Sequence, residues 1–123
     1  MTVYLSGKIT GKADYANSFM FWSGICERQG MTTINPCFMP EGLTPTDYMR
    51  VSIAQIEAAD AILMLPDWKE SKGAIIEKLY AEYIGKKVLY ARHKIVTECR
   101  GLYGADEYTI PEIVEDGGGA DGG

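Results

Sequence analysis

The chain has 123 residues, 46% hydrophobic and 24% charged, the balance of one globular domain with its own core and no room for a second. Its net charge is −5, yet residues 1–105 hold all 12 lysines and arginines and 11 of the 17 acids, so the body is near neutral and the acidity sits at the C-terminal end. No clustered basic face is visible, which argues against a nucleic acid polymer or an anionic membrane as partner but leaves room for a small anionic ligand held by one or two cations.

The longest apolar run, Ala61 to Leu65, is far short of the roughly 20 residues that span a bilayer. No charged-then-apolar leader opens the chain. Three cysteines (Cys26, Cys37, Cys99) form no CxxC pair, and an odd number is a poor disulfide framework. The expectation is a reduced, cytoplasmic protein. No His, Cys or Asp spacing suggests a metal site, and no cofactor is expected.

In chain order, Val3–Ser6 reads as a short buried strand running into a loop with two glycines, Gly7 and Gly11. Residues 13–29 carry Ala16, Phe19, Met20, Trp22, Ile25 and Cys26 at helical spacing, stopped by Gly30. Met31–Ile34 is a second strand, and residues 36–46, with three prolines and a glycine, are loop. Thr46 is the expected cap of a helix from Asp47 to Ala59 with an apolar stripe of Met49, Ile53 and Ile56. Ala61–Leu65 has the continuous apolar character of a strand buried on both faces. Ser71 starts a helix to about Ile84, Gly85 stops it, and Lys87–Ala91 is a further strand. Beyond His93 the pattern weakens to a possible edge strand over Tyr108–Ile110, and Glu115–Gly123 is a low-complexity tail expected to be disordered.

The alternation βαβαβαβ with short connections calls for an α/β fold of the flavodoxin or Rossmann kind: three layers, a four- to five-stranded and mostly parallel sheet, helices on both faces. A single domain over 1–110 with an acidic, Gly-rich tail over 111–123 is the expected organisation. Such sheets bind ligands at the carboxyl ends of their strands, which places the loops after Ser6, Asn35 and Leu65 around one crevice.

Two segments carry candidate chemistry. The loop Gly7-Lys8-Ile9-Thr10-Gly11-Lys12 lies between a strand and a helix, where phosphates bind, but it is neither a Walker A loop nor GxGxxG, and a tight turn explains it equally. In Ser71-Lys72-Gly73-Ala74-Ile75-Ile76-Glu77, small residues Gly73, Ala74 and Ala81 share one helix side with Glu77. Open space beside a carboxylate suits a nucleophile or a base, although a Glu in the second turn of a helix is commonly a solvated residue. Asp47 and Asp60 have ordinary readings as helix-start and turn residues, His93 as a surface residue and Cys26 as core. Trp68 and Tyr15 could stack on a base or simply cover the core.

Taken together, Val3-Tyr4-Leu5-Ser6-Gly7 with Gly11, Asn35-Pro36, Asp47-Tyr48-Met49-Arg50, Ala59-Asp60-Ala61-Ile62, Pro66-x-Trp68, Ser71-x-Gly73-x-x-x-Glu77 and Gly85-Lys86-Lys87-Val88 resemble the nucleoside 2-deoxyribosyltransferase-like superfamily over roughly Thr2 to Ala91. The small, often phage-encoded branch of unassigned function is the most similar. The resemblance implies that Glu77 attacks C1′ of a deoxyribosyl group to form a glycosyl-enzyme, that Tyr4 holds it, and that water or a second base resolves the intermediate with retention. Ser71, where transferases tend to carry Asp, implies a deoxynucleoside 5′-monophosphate, since a hydroxyl and helix-start amides accept a phosphate that a carboxylate would repel. Ser6, Gly7, Lys8, Gly11, Asn35, Asp60, Trp68, Ser71 and Gly73 are the implied substrate-binding positions. Ser52 stands where the superfamily generally has an acid for the leaving base, with Asp47 a possible substitute, so a catalytically impaired nucleotide-binding module is the alternative. Relatives complete their sites with a neighbouring subunit, implying a homodimer or larger homo-oligomer.

Overall fold

The computed structural model describes residues 1–115. Five strands form one sheet in the order β2-β1-β3-β4-β5: β1 Thr2–Ser6, β2 Thr32–Ile34, β3 Ala61–Met64, β4 Lys87–Cys99 and β5 Ala105–Val114. The first four run parallel, and β5 pairs antiparallel with β4. Three helices, α1 Tyr15–Arg28, α2 Pro45–Ala58 and α3 Lys72–Tyr83, complete an α/β arrangement of the Rossmann or flavodoxin kind.

Strand periodicity decides which residue reaches which layer. Val3, Leu5, Ala61, Leu63, Leu89 and Ala91 pack with Phe19, Trp22, Ile25 and Cys26 of α1. Tyr4, Ile62 and Met64 project to the opposite face and pack with Ile56, Ala74 and Ala81 of α2 and α3. β3 is buried at every position, as its unbroken apolar run requires of a central parallel strand. Ser6 has the parity of Tyr4, so it too projects toward α3.

Several boundaries differ from the sequence expectations. The N-cap of α2 is Thr44 rather than Thr46, its hydroxyl accepting from the Asp47 amide at 3.1 Å, with Pro45 as the first helical residue. Proline suits that position because its fixed φ and missing N–H cost nothing there. The helix expected from residue 13 starts at Tyr15. β4 does not end at Ala91: it continues to Cys99 and pairs with β5 from Tyr90↔Val114 to Cys99↔Ala105. The edge strand expected at 108–110 is thus the middle of a ten-residue strand, and ordered chain reaches past the expected limit of 110. Glu115 is described as a bend, and the rest of the expected tail, 116–123, lies outside the described residues.

Past Tyr90 this hairpin loses β3 as a neighbour and is a two-stranded arm. Residues 92–95, 97–102 and 104–110 are exposed, and its strands are cross-tied by the Arg92–Glu112 and Arg100–Asp106 ion pairs. Both faces are wet, so the apolar alternation that would reveal a half-buried strand is weak. The arm's base rests on α1, where the His93 ring lies 5.4 Å from Trp22 and 6.3 Å from Phe21. Among the described residues, no helix is long and apolar enough to cross a membrane.

Candidate functional site

β1 delivers Tyr4 and Ser6 to one face of the sheet, and α3 lays Ala74, Glu77 and Ala81 against that face. The spacing i, i+3, i+7 is one helical stripe, so the carboxylate lands where two alanines let the helix approach closely. Ser6 Oγ donates to Glu77 Oε1 at 2.6 Å, and Tyr4 Oη donates to Glu77 Oε2 at 2.9 Å. Ser52 of α2 brings a third hydroxyl beside the same carboxyl group. Glu77 is only 8% exposed, and among the described residues no lysine, arginine or histidine is paired with it.

Burial pushes the Glu77 carboxyl above the ordinary carboxylate range, while the hydroxyls of Ser6, Tyr4 and Ser52 pull it back down. Burial first, and then the Glu77 charge, push the Tyr4 phenol far up, so it remains a donor. A buried acid solvated by hydroxyls alone, without a neutralising cation, is costly to ionise. Such perturbed groups concentrate at functional sites.

Glu77, Ser52 and Gly73 border a cavity of about 530 Å³ at the carboxyl end of the sheet, a size that suits a small-molecule ligand. The loop 39–44 and the start of α2 add Met39, Leu43, Pro45 and Tyr48 to its wall, and the Tyr48 hydroxyl fastens that loop by donating to the Pro40 carbonyl at 3.0 Å. Cys37 also borders it, and burial pushes its thiol up, making it a poor rival nucleophile. A second cavity of about 410 Å³ adjoins the first at Ile9, Thr10 and Gly73, and Lys8, Ser71 and Lys72 border it.

Among the sequence-derived candidates, Tyr4, Ser6, Ser52, Glu77 and Gly73 come together, with Lys8 and Ser71 at the adjoining cavity. Ser71 caps α3 by accepting from the Ala74 amide at 3.1 Å. Gly7 is buried because β1 passes against Leu65: a Cβ there would lie 2.9 Å from Leu65 Cβ. Gly11, at φ +77°, turns the loop without bordering either cavity.

Four candidates are elsewhere. Asp60 accepts from the Thr2 amide at 2.7 Å; it precedes β3 and therefore sits at the amino end of the sheet, away from the cavity. Asp47 lies 3.6 Å from Arg50 along α2 and does not border the cavity. Trp68 packs on Tyr90 at 6.2 Å, with the Lys78 ammonium 5.4 Å from its ring centroid. Asn35 accepts from the Cys37 amide at 2.9 Å and borders a separate small cavity beside α1.

Two residues around the cavities escaped the sequence reading. Asp67 ties the first loop down, accepting from Lys12 Nζ at 2.6 Å and from the Lys8 amide at 3.1 Å. Glu41 is the second carboxylate bordering the main cavity. Neither stands in a recognisable motif, and the prolines and glycine of 36–46 mark that segment only as a loop. Among the described residues no three His, Cys, Asp or Glu side chains cluster as a metal site.

Among solved structures, the chain is similar to the Clostridium botulinum CMP N-glycosidase BcmB, at 20% identity and a TM-score of 0.54, over 72% of this chain and 68% of that one. It is also similar to a 2-deoxyribosyltransferase from Leishmania mexicana, at 18% identity and a TM-score of 0.56, over 80% and 67%. At this level of identity the likeness is one of fold, and the fold is nucleoside 2-deoxyribosyltransferase-like. No curated protein matches the sequence. Residues 1–90 match the model of a domain of unknown function, DUF4406, and the chain belongs to that family.

Proposed function

We propose that the protein is a retaining N-glycosidase or deoxyribosyltransferase acting on a deoxynucleoside 5′-monophosphate, with Glu77 as nucleophile. The observation that carries this reading is a nearly buried carboxylate, fixed by the hydroxyls of Tyr4 and Ser6, at the edge of a cavity large enough for a nucleoside. A Glu77 oxygen attacks C1′, the C1′–N bond breaks, and the bonding pair leaves on the base, which takes up a proton from water. Water or an incoming base then attacks C1′ and releases Glu77, and two inversions give net retention. Tyr4 and Ser6 hold the carboxylate in line, and their bonds offset part of the cost of ionising it.

The adjoining cavity supports the phosphate assignment. The main cavity's border contains two carboxylates and no cation, whereas the neighbouring one contains Lys8, Lys72 and the Ser71 hydroxyl beside one carboxylate, Glu70, which lies 3.6 Å from Lys8. A nucleoside in the first and its 5′-phosphate in the second would meet at Gly73, where a missing side chain leaves room. An exposed stripe of Ile76, Leu79 and Tyr83 on α3 supports a homodimer as the working assembly.

Ser52 in place of a leaving-group acid favours a second reading, a nucleotide-binding module without turnover. Incubation with each deoxynucleoside 5′-monophosphate, followed by chromatography for free base, separates the two. Base release by the wild type but not by Glu77→Gln is the expected result; ligand-induced thermal stabilisation without release by either protein overturns the enzyme reading in favour of the module.

A further inference from the structure

We propose that Glu41 selects the base: its carboxylate accepts a hydrogen bond from an exocyclic amino group, so the site takes adenine over hypoxanthine and cytosine over uracil. This deepens the glycosidase reading and rests on it. Glu77 is placed to meet the sugar, and the base then extends toward the wall formed by the loop 39–44 and the start of α2.

That wall is apolar at Met39, Leu43 and Pro45, surfaces that suit the face of a base, and Glu41 is its one charged side chain. Glu41 is exposed, and among the described residues its carboxylate has no hydrogen-bond or ion-pair partner. A carboxylate offers acceptors to a ligand. A base that covers it takes away its water. An amino group replaces that water with a donor, as glutamate does with the cytosine amino group in nucleic acid grooves. A carbonyl at the same ring position presents lone pairs to a desolvated carboxylate, which costs binding. The loop is held for this role by the Tyr48–Pro40 hydrogen bond, so the carboxylate meets the base from a fixed wall.

Adenine and hypoxanthine differ at that substituent and in the proton on the adjacent ring nitrogen, as do cytosine and uracil, so the test compares pairs of nearly equal shape. Base release from dAMP, dIMP, dCMP and dUMP is measured as kcat/KM for wild type and for Glu41→Gln. The expected result is an amino-over-carbonyl preference of about 10- to 100-fold in the wild type, falling to within about threefold in Glu41→Gln, whose amide both donates and accepts. Each ratio is taken within one protein, so a general loss of folding or activity does not move it. A wild type that turns over both members of each pair equally, or a preference that survives Glu41→Gln, overturns the Glu41 assignment and leaves the glycosidase reading standing. If the wild type releases no base from any of the four, the glycosidase reading falls. Dissociation constants for the same four nucleotides then carry the comparison: the same ratio, lost in Glu41→Gln, supports the assignment, and absent binding or equal binding overturns it.

Discussion

Replacing Tyr4 with Phe isolates the electrostatic part of the site. The ring is almost wholly buried and would stay in the core, so the change removes one hydroxyl that donates at 2.9 Å to Glu77. A hydrogen bond to a charged group contributes about 1.5–3 kcal/mol, against about 1 kcal/mol for a neutral pair. Burial already raises the Glu77 carboxyl above its ordinary value, so the folded protein holds this proton more tightly than the unfolded chain does. Stability from this group is therefore fully present below the ordinary glutamate range and is lost as pH rises through the elevated folded value. The Tyr4 hydroxyl limits that loss by favouring the ionised form. Tyr4→Phe should then cost about 1 kcal/mol at pH 4 and about 1.5–3 kcal/mol at pH 8, read from urea unfolding at both pH values. Adding Glu77→Gln should abolish the pH dependence of the difference. An equal cost at both pH values, or a difference that persists beside Glu77→Gln, would refute the claim that this hydroxyl acts on a buried, ionisable Glu77.

Two further outcomes follow from packing. Gly7→Ala places a Cβ 2.9 Å from Leu65 Cβ and 3.1 Å from Asp67 Oδ1, so it should destabilise by about 1–3 kcal/mol, seen as a lower urea midpoint with an unchanged m-value; a neutral result would show that the exits of β1 and β3 can separate freely. Leu79→Glu, on the exposed α3 stripe, should leave the monomer folded by circular dichroism while lowering the mass measured by light scattering; an unchanged mass would place any self-association elsewhere.

The sheet was legible because it rests on short periods, whereas Tyr4 as the partner of Glu77 was legible only through the family resemblance. Period two sends Tyr4 and Ser6 to one face, and the helical stripe brings Glu77 to meet them. Asp60 shows the limit of motif order: strand direction alone assigns a residue before a parallel strand to the end opposite the crevice, as its bond to Thr2 shows. The β4–β5 arm was hidden because a two-stranded ribbon with both faces in water does not need to alternate. Glu41 was hidden because a loop residue's partners are set by where the loop folds, which residues 36–46 do not encode in any repeat.

What the site does with its cost is clearest at Ser52. The hydroxyl there, on a 5% exposed residue, lies beside Glu77 and Tyr4 and favours the ionised form of each. An aspartate in its place would set a second carboxyl within a few ångströms of the first, and two such groups in a dry pocket do not both ionise. At about 4 Å and an effective dielectric near 20 the repulsion is about 4 kcal/mol. Ser52→Asp should therefore be much less stable than wild type at pH 8, and nearly its equal at pH 4, where both carboxyls are protonated and can share a hydrogen bond. The same pair would retain a proton at neutral pH, and on the proposed reaction that proton could pass to the departing base, a contribution of the order of 10²–10⁴-fold. Lower stability with faster base release would mean that Ser52 trades rate for a site that tolerates an ionised Glu77. Lower stability without faster release would mean that the leaving base already finds its proton elsewhere, and that the hydroxyl at position 52 serves only the carboxylate beside it.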